Sequence, residues 1–374
     1  MLRLPDDLTV EHFLARCWQS EPVFMAGAVD KLHPAVTRNE LGWLATLDDV
    51  ESRIIFTERH GERARYRAES GPFAPEYLEA LPKRDWTLLV HDVEKHIPAM
   101  RQLFALVPFI PDWRIDDLMI SFAAPGGGVG PHRDNYDVFL CQGIGTRVWH
   151  VTQDDIPGDA DASDDLALIR PFDGDIHEAR QGDVLYLPPG VAHWGTARRA
   201  CLTYSIGMRA PQLSDLTERL PDEEARNPFY VDPDLQSQEA IPGYISAAAV
   251  ERAAGLLGVG PETHSEIALS LGKFVTSTKE WLTPELPDAD EVEAALASLA
   301  AGRKLDVHGM ARIAWNDTTG FVNGRDRELP DTGPATFREI CRSRQLRGPV
   351  AGDDEGAAAV TWMIAAGAFE IPGN

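Results

Sequence analysis

The sequence lacks a long apolar run, which argues against a helix that crosses a bilayer. The most apolar stretch, residues 357–369, is interrupted by Thr361 and falls short of the ~20 residues that a membrane span needs. The first residues, MLRLPDDLTVEHF, show no basic segment followed by an apolar block. We therefore expect neither a signal peptide nor a membrane anchor.

Cysteine is scarce and scattered. The four cysteines are Cys17, Cys141, Cys201 and Cys341, and no CxxC motif occurs. Without an export signal, this usage predicts reduced thiols and a cytoplasmic protein. Cys141 and Cys201 lie in apolar, strand-like runs, where a small core residue is the simplest interpretation.

Positive charge is also in short supply. The protein has 35 Lys and Arg against 59 Asp and Glu, which gives a net charge of −24. Such a surface repels nucleic acid and anionic membranes and attracts basic partners. We therefore expect no strong direct binding to nucleic acid. The apolar fraction of 44% is that of a globular protein, and 374 residues allow two or three domains.

The middle of the sequence has the texture of an all-β domain. After a mixed α/β region at 1–115, short runs rich in branched and aromatic residues alternate with Gly, Pro and Asp clusters: LMISFAA, DVFLCQ, RVWHV, DVLYLPP and CLTYSIGMR. This pattern predicts a sandwich or barrel. An Asp-rich segment at 154–175 is expected to be a surface excursion, with His177 solvated beside it.

The remaining residues turn helical and then mixed again. AAAVERAAGLL, SEIALSLGKFV and DEVEAALASLAA have helical spacing, and ARIAWND with TGFVNG predicts a hairpin between further helices, a pattern typical of a winged-helix module. We predict domains at 1–211, 212–300 and 301–374. The helices after Pro211 have apolar faces that predict a homodimer: Val250, Ala253, Leu256, Leu257, Ile267, Leu269, Leu271 and Phe274.

One cluster of residues points to chemistry. His132 and Asp134 follow the glycine-rich turn PGGGVGP, and their spacing puts both side chains on one face of a strand. His193 follows Pro-Pro-Gly at the start of a later strand and supplies a third ligand. Two histidines and one carboxylate form the facial set of non-haem Fe(II) oxygenases, which leaves positions open for a cosubstrate and O₂. HxD alone is common by chance, and the flanking glycines and PPGxxH make it specific.

A cosubstrate with a remote carboxylate also needs a fixed cation. Arg147 begins RVWHV, and its guanidinium can bind a carboxylate through two hydrogen bonds. The alternative is an arginine at the barrel rim, paired with an Asp. Ser121 in MISF is a candidate donor inside the barrel, although a structural hydroxyl is the simpler explanation, as for Thr203 and Ser205. His150 is expected to be an ordinary strand residue.

These residues closely resemble the bacterial ribosomal oxygenases, which are JmjC-type 2-oxoglutarate oxygenases. The resemblance is carried by WRIDDLMISFAAPGGGVGPHRDNYDVFLCQGIGTRVWHV, GDVLYLPPGVAHWG, YSIGMRAP and FLARCWQSEPVFMAGA, and it is strongest over residues 1–235. It implies a double-stranded β-helix (jelly roll, cupin/JmjC) core within a mixed α/β protein, then a helical dimerisation region and a winged helix. One local departure is Trp194, which follows the third ligand and can reshape the pocket edge.

The resemblance also implies roles. His132, Asp134 and His193 match the iron ligands, and Arg147 matches the arginine that binds the 5-carboxylate of 2-oxoglutarate. The implied reaction is hydroxylation at C3 of an arginine in a large-subunit ribosomal protein, with Fe(II), 2-oxoglutarate and O₂. A basic substrate also agrees with the net charge, and an acidic stretch is expected to attract it: Asp154, Asp155, Asp159, Asp161, Asp164 and Asp165.

Two alternatives remain at this point. A metal-dependent cupin enzyme that does not use 2-oxoglutarate needs no buried cation opposite the metal, so Arg147 discriminates against it. An adaptor that binds nucleic acid through its last domain needs a basic surface. Residues 301–374 carry no net positive charge, although a local basic run occurs at Arg338, Arg342, Arg344 and Arg347.

Overall fold

The computed structural model describes residues 1–33, 35–60, 63–159, 166–217, 227–348 and 354–371. The protein forms two compact units, one of Met1–Val107 with Ile115–Met208 and one of Pro108–Arg114 with Arg209–Asn374. In the described ranges, no helix is both long and apolar enough to cross a membrane. Asp161, Asp164 and Asp165 of the predicted acidic stretch lie outside the described residues.

Two antiparallel sheets form the first unit. The larger has the order β1-β9-β6-β11-β5-β4-β2-β3 and the smaller β10-β7-β8. The strands are β1 (Val23–Met25), β2 (Ser52–His60), β3 (Arg63–Ser70), β4 (Trp86–Val90), β5 (Ile115–Ala123), β6 (Val138–Ile144), β7 (Thr146–Thr152), β8 (Asp175–Arg180), β9 (Val184–Leu187), β10 (Ala192–Ala197) and β11 (Cys201–Met208). The helices are α1 (Val10–Arg16), α2 (Arg38–Leu44), α3 (Pro75–Glu79), α4 (Val93–His96) and the 3-10 segment Pro98–Leu106.

The two sheets face each other across a shared core. Residues of β6 and β9 in the large sheet pack in one cluster with residues of β7 and β8 in the small one: Val138, Leu140, Leu185, Leu187, Trp149, Val151 and Ala179. Along β7 every second residue is buried, because successive side chains of a strand point to opposite faces. This agrees with the sandwich or barrel predicted from the sequence, and it defines an inner face on which Arg147 lies.

Helices begin where the sequence offers a cap. The Thr9 side chain accepts a hydrogen bond from the backbone N–H of His12 and starts α1. Thr37 and Glu40 form a reciprocal capping box that starts α2. Such caps satisfy backbone donors that lack a partner in the first turn.

The second unit contains the predicted helices and hairpin. The elements are α5 (Ala247–Leu257), α6 (His264–Thr276), α7 (Ala289–Ala300), β12 (Lys304–Asp306), β13 (Ile313–Trp315), β14 (Thr319–Val322), β15 (Arg325–Glu328), α8 (Gly333–Ser343), β16 (Gln345–Arg347) and α9 (Asp354–Ala365). Strands β13, β14 and β15 form one sheet, and β12 pairs with β16. The hairpin predicted from ARIAWND and TGFVNG is confirmed as β13 and β14.

The apolar faces of α5 and α6 are partly used within the second unit. Val250, Ala253, Ile267 and Leu271 are buried in a core that also contains Ala314 and Phe321 of β13 and β14. The other four residues behind the dimer prediction lie at the edge of this core and are only partly buried: Leu256, Leu257, Leu269 and Phe274. They are the part of the predicted dimer face that is not buried within this unit.

His177 corrects a sequence expectation. It lies in β8, where it is partly buried and stacks on Phe24 with ring centroids 4.9 Å apart. The prediction of a solvated histidine beside the acidic segment was wrong, because the strand begins at Asp175 and brings His177 against the neighbouring aromatic ring.

Candidate metal centre and reaction chamber

Strand pairing brings the two candidate histidine ligands together. The backbone of His132 and His193 exchanges two hydrogen bonds, of 3.0 and 2.9 Å. The Nε2 atoms of His132 and His193 lie 3.9 and 3.6 Å from the Asp134 carboxylate oxygens. One candidate ligand atom from each of the three residues lies within 4.8 Å of the others. The structure therefore places the three predicted ligands where a single ion can contact all of them.

Both imidazole rings are oriented by the backbone just before them. Nδ1 of His132 lies 2.9 Å from the carbonyl oxygen of Gly130, and Nδ1 of His193 lies 3.0 Å from that of Val191. With Nδ1 donating to a carbonyl, the lone pair of Nε2 is free for a metal, the usual arrangement for ligating histidines. Gly130 has φ of +87°, and a Cβ there would meet the Tyr66 ring at 2.9 Å, so this turn requires glycine.

The protonation state of His193 suits a ligand. Burial lowers the pKa of His193 to about 4, with the neighbouring His132 acting in the same direction. The ring is therefore neutral at pH 7, which is the form that binds a metal. Two imidazoles and one carboxylate, with no thiolate among them, form a donor set that fits Fe(II).

Arg147 is a buried cation whose side chain runs along the sheet towards the histidines. Its exposed fraction is 3%, and among the described residues Nε and Nη2 have no hydrogen-bond partner. A Cβ built at Gly195 would lie 2.9 Å from Cδ of Arg147 and 2.6 Å from the Trp149 ring. The Trp149 ring in turn lies 6.1 Å from that of His193. Buried, unpaired N–H groups are costly, and an anionic ligand would satisfy them.

Ser121 lies on the opposite sheet, also on an inward-facing position. It is 2% exposed on β5 and pairs with Thr203 on β11. The Thr203 hydroxyl donates to the side-chain oxygen of Gln142 at 3.2 Å. Ser121 therefore faces the space between the two sheets, which Arg147 lines from the small sheet; this space is the reaction chamber.

Two further residues, Asp117 and Tyr136, lie at the open, solvent-exposed end of the chamber. Neither was singled out from the sequence. Along β5, Asp117 and Met119 are partly exposed and Ser121 is buried, so the chamber closes in this direction. Tyr136, 41% exposed, hydrogen-bonds the Asp134 carboxylate, and its pKa is raised by burial of the hydroxyl and by Asp134 and Asp117. Strand phase with Ser121 was the signal that would have identified Asp117 from the sequence.

Trp194 does not edge the metal pocket, contrary to the sequence expectation. It follows His193 along β10 and so points to the outer face, where it stacks on His150 with ring centroids 4.0 Å apart. Its indole N–H donates to the carbonyl oxygen of Phe172 at 3.4 Å. His150 is confirmed as a strand residue that packs on this outer layer.

Comparison with known proteins agrees with this geometry. The JmjC domain family matches residues 102–216. The sequence is 37% identical over 327 residues to the ribosomal protein uL16 3-hydroxylase of Escherichia coli, covering 85% of each protein. It is 34% identical over 245 residues to a probable ribosomal oxygenase of Haemophilus influenzae, covering 63% of this protein and 57% of that one.

Solved structures give the same result. The ribosomal oxygenase YcfD of Escherichia coli in complex with cobalt and 2-oxoglutarate matches with a TM-score of 0.71 and 28% identity. The match covers 98% of this protein and 99% of that one. The first unit therefore has the JmjC/cupin fold, and its chemistry uses Fe(II) and 2-oxoglutarate. The chain belongs to the JmjC-type ribosomal oxygenases, a family of 2-oxoglutarate-dependent dioxygenases.

Proposed function

We propose that this protein hydroxylates an arginine side chain of a basic ribosomal protein at C3. Bound together, Fe(II), 2-oxoglutarate and O₂ supply the oxidation of a C–H bond to C–OH, while 2-oxoglutarate is converted to succinate and CO₂. The substrate assignment is supported by the name of the Escherichia coli relative, a uL16 3-hydroxylase. The protein's part is to bind, orient and keep water away from the reacting carbon.

Each predicted site residue has a place in this proposal. His132, Asp134 and His193 hold the iron, because their ligand atoms converge and both rings have Nδ1 directed at a carbonyl. Arg147 binds the remote carboxylate of 2-oxoglutarate with N–H groups that have no other partner among the described residues. Ser121 lines the same chamber from the large sheet and is a second donor for the cosubstrate.

The observation that carries the substrate class is the chemical difference between the two ends of the chamber. The buried end holds the cation Arg147, whereas the open end holds the partly exposed Asp117 carboxylate near the Tyr136 ring. An anionic cosubstrate is favoured at the first end and a cationic group at the second. A guanidinium bound to Asp117, with its methylene groups against Tyr136, would present one of their C–H bonds to the iron.

Long-range charge acts in the same direction. With a net charge of −24, the protein attracts a basic polypeptide and speeds the encounter, an effect that weakens as ionic strength rises. Asp154 and Asp155 are exposed beside the chamber-forming strands, where Asp155 pairs with Arg133 at 3.1 Å. They remain candidates for part of this attraction.

The test is mass spectrometry of ribosomal proteins and basic peptides after incubation with enzyme, Fe(II) and 2-oxoglutarate. The expected product is a single +16 Da arginine whose fragments place the hydroxyl at C3. Turnover of a long basic substrate should fall steeply with added salt, while a neutral peptide of equal length responds little. Hydroxylation of histidine would refute the chemical assignment, and a flat salt response would refute the electrostatic one.

Three further proposals accompany this function. We keep the division at 1–211, 212–300 and 301–374, with residues 301–374 as a winged-helix module built on β13–β15 and α8. We also keep the homodimer, now through Leu256, Leu257, Leu269 and Phe274. Light scattering should give twice 41.1 kDa at micromolar concentration, and the monomer mass would refute the dimer.

A cytoplasmic location is part of the proposed function, since ribosomal proteins are the intended substrates.

A further inference from the structure

We propose that His91 is a positioning residue for substrate recognition, which holds the Asp117 carboxylate so that Oδ1 faces the open end of the chamber. This inference rests on the function proposed above, in which Asp117 receives the guanidinium of the target arginine. It assigns a role to the segment that follows β4, to which neither the sequence analysis nor the proposed reaction gave one.

Two donors from this segment converge on one oxygen of Asp117. Nδ1 of His91 lies 3.2 Å from Oδ2, and the backbone N–H of Asp92 donates to the same Oδ2 at 3.3 Å. The other oxygen, Oδ1, points towards Gly207. A Cβ built at Gly207 would lie 3.2 Å from Oδ1 of Asp117 and 3.8 Å from the Tyr136 ring. The carboxylate is thus held through Oδ2, while Oδ1, on the side of Tyr136, accepts no hydrogen bond from the residues that the structure describes.

The backbone adopts a left-handed conformation to make this contact. Asp92 has φ of 53° and ψ of 32°, a region that residues other than glycine enter at some energetic cost. Such conformations persist where the surrounding structure fixes them, and they cluster at functional sites. Here the Asp92 carboxylate is held by Nζ of Lys95 at 3.3 Å, and this buried pair keeps the N–H of Asp92 directed at Asp117.

A second contact from the same segment holds Leu118, the next residue of β5. The Glu94 carboxylate, 2% exposed, accepts the backbone N–H of Leu118 at 2.9 Å. Nζ of Lys95 lies 3.6 Å from the other oxygen of Glu94. Charges buried this deeply are tolerated when they are paired and hydrogen-bonded. Because the segment from His91 through α4 holds β5 at both Asp117 and Leu118, the carboxylate has a rigid support, as directional binding of a guanidinium requires.

Loss of this support should alter selectivity more than chemistry. In the absence of His91, the Asp117 carboxylate can rotate away from the guanidinium. An arginine substrate would lose a charge-assisted contact, whereas a citrulline substrate, which is neutral and of the same shape, has little to lose. The ratio of kcat/KM for arginine and citrulline peptides therefore reports the orientation of Asp117.

The test compares His91→Ala, His91→Asn and a matched control, His177→Ala, which alters a partly buried strand histidine stacked on Phe24. The His91→Ala variant should lower the arginine-to-citrulline ratio about tenfold, mainly through KM for the arginine peptide. The His91→Asn variant places an amide donor near the former Nδ1 position and should restore most of the ratio. The control should keep the wild-type ratio.

The outcomes separate failure of this inference from failure of the proposed function. If Asp117→Asn lowers the ratio but His91→Ala does not, or if His91→Ala slows both peptides equally, the positioning role is overturned and the function stands. If the wild type hydroxylates neither peptide, or Asp117→Asn leaves the ratio unchanged, the substrate assignment fails and this inference fails with it. Peptide-independent 2-oxoglutarate turnover and the melting temperature report whether each variant is folded.

Discussion

Replacing Arg147 by methionine should have two effects of opposite sign. Among the described residues, the Nε and Nη2 atoms of Arg147 are buried without hydrogen-bond partners, so we expect the guanidinium to lower stability until an anion binds it. A methionine of similar length removes that cost and fills much of the same space beside Trp149. With 2-oxoglutarate present, the same substitution removes the cation that we propose for the remote carboxylate. The unliganded variant should therefore be more stable than wild type, and 2-oxoglutarate should stabilise it much less than it stabilises wild type.

The magnitudes follow from the burial. An unsatisfied buried donor costs about 1–3 kcal/mol, so the ligand-free variant should melt a few degrees higher, at about 2–4 °C per kcal/mol for a unit of this size. Loss of a charge-assisted contact costs about 1.5–3 kcal/mol, or roughly ten- to a hundredfold in the affinity for 2-oxoglutarate. At a ligand concentration of about 100 times the wild-type Kd, wild type gains about 2.7 kcal/mol from binding, whereas a variant weakened a hundredfold gains only about 0.4 kcal/mol.

The assay is a thermal melt with and without 2-oxoglutarate, with Mn(II) in place of iron so that no turnover occurs. Arg180→Met is the matched control, because the Arg180 side chain is 74% exposed and pairs with Glu178. It should change neither melting temperature by more than a fraction of a degree. An Arg147→Met variant that keeps the wild-type shift with 2-oxoglutarate would reassign Arg147 to a structural role. A lower melting temperature without ligand would refute the claim that its N–H groups are unpaired.

Three further predictions concern the same unit. Alanine at His132, Asp134 or His193 should abolish 2-oxoglutarate turnover and weaken Mn(II) binding measured by calorimetry, and full activity in any of the three would refute the ligand assignment. Gly195→Ala should raise KM for 2-oxoglutarate in steady-state assays, because its Cβ would displace Cδ of Arg147 and the Trp149 ring; an unchanged KM would contradict this. His150→Phe should reduce the loss of stability on acidification, compared in urea melts at pH 7.5 and 5.5. Burial lowers the pKa of His150 below its usual value of 6.5, so its contribution to stability is present above pH 6.5 and is lost as pH falls towards the folded-state pKa; an equal loss in the variant would refute this.

The sequence was sufficient for the residues that local spacing brings together. His132 and Asp134 share a strand phase, and the glycines before them identified the turn that orients the first ring. Arg147 was singled out at the start of RVWHV, and on β7 its side chain lies on the same buried face as Trp149. In each case the information lies within a few residues, where strand geometry determines the direction of a side chain.

The residues that were missed depend on pairing between distant segments. Asp117 stands in phase with Ser121, yet its contact with His91 is created by the pairing of β4 with β5, which the sequence does not state. His177 was misplaced for a related reason, since its partner Phe24 comes from a strand far away in the sequence. Strand alternation predicts which face a residue occupies, but not which neighbour it meets there.

The orientation of both histidine rings by backbone carbonyls has a consequence for how such a protein can diversify. The carbonyls of Gly130 and Val191 are present whatever side chains surround them, so no second side chain has to be retained to aim either ring. Substitutions in the chamber wall can then accumulate while the ring orientation is retained. A lineage built on this scaffold is free to exchange one target side chain for another at the open end without rebuilding its oxidising centre.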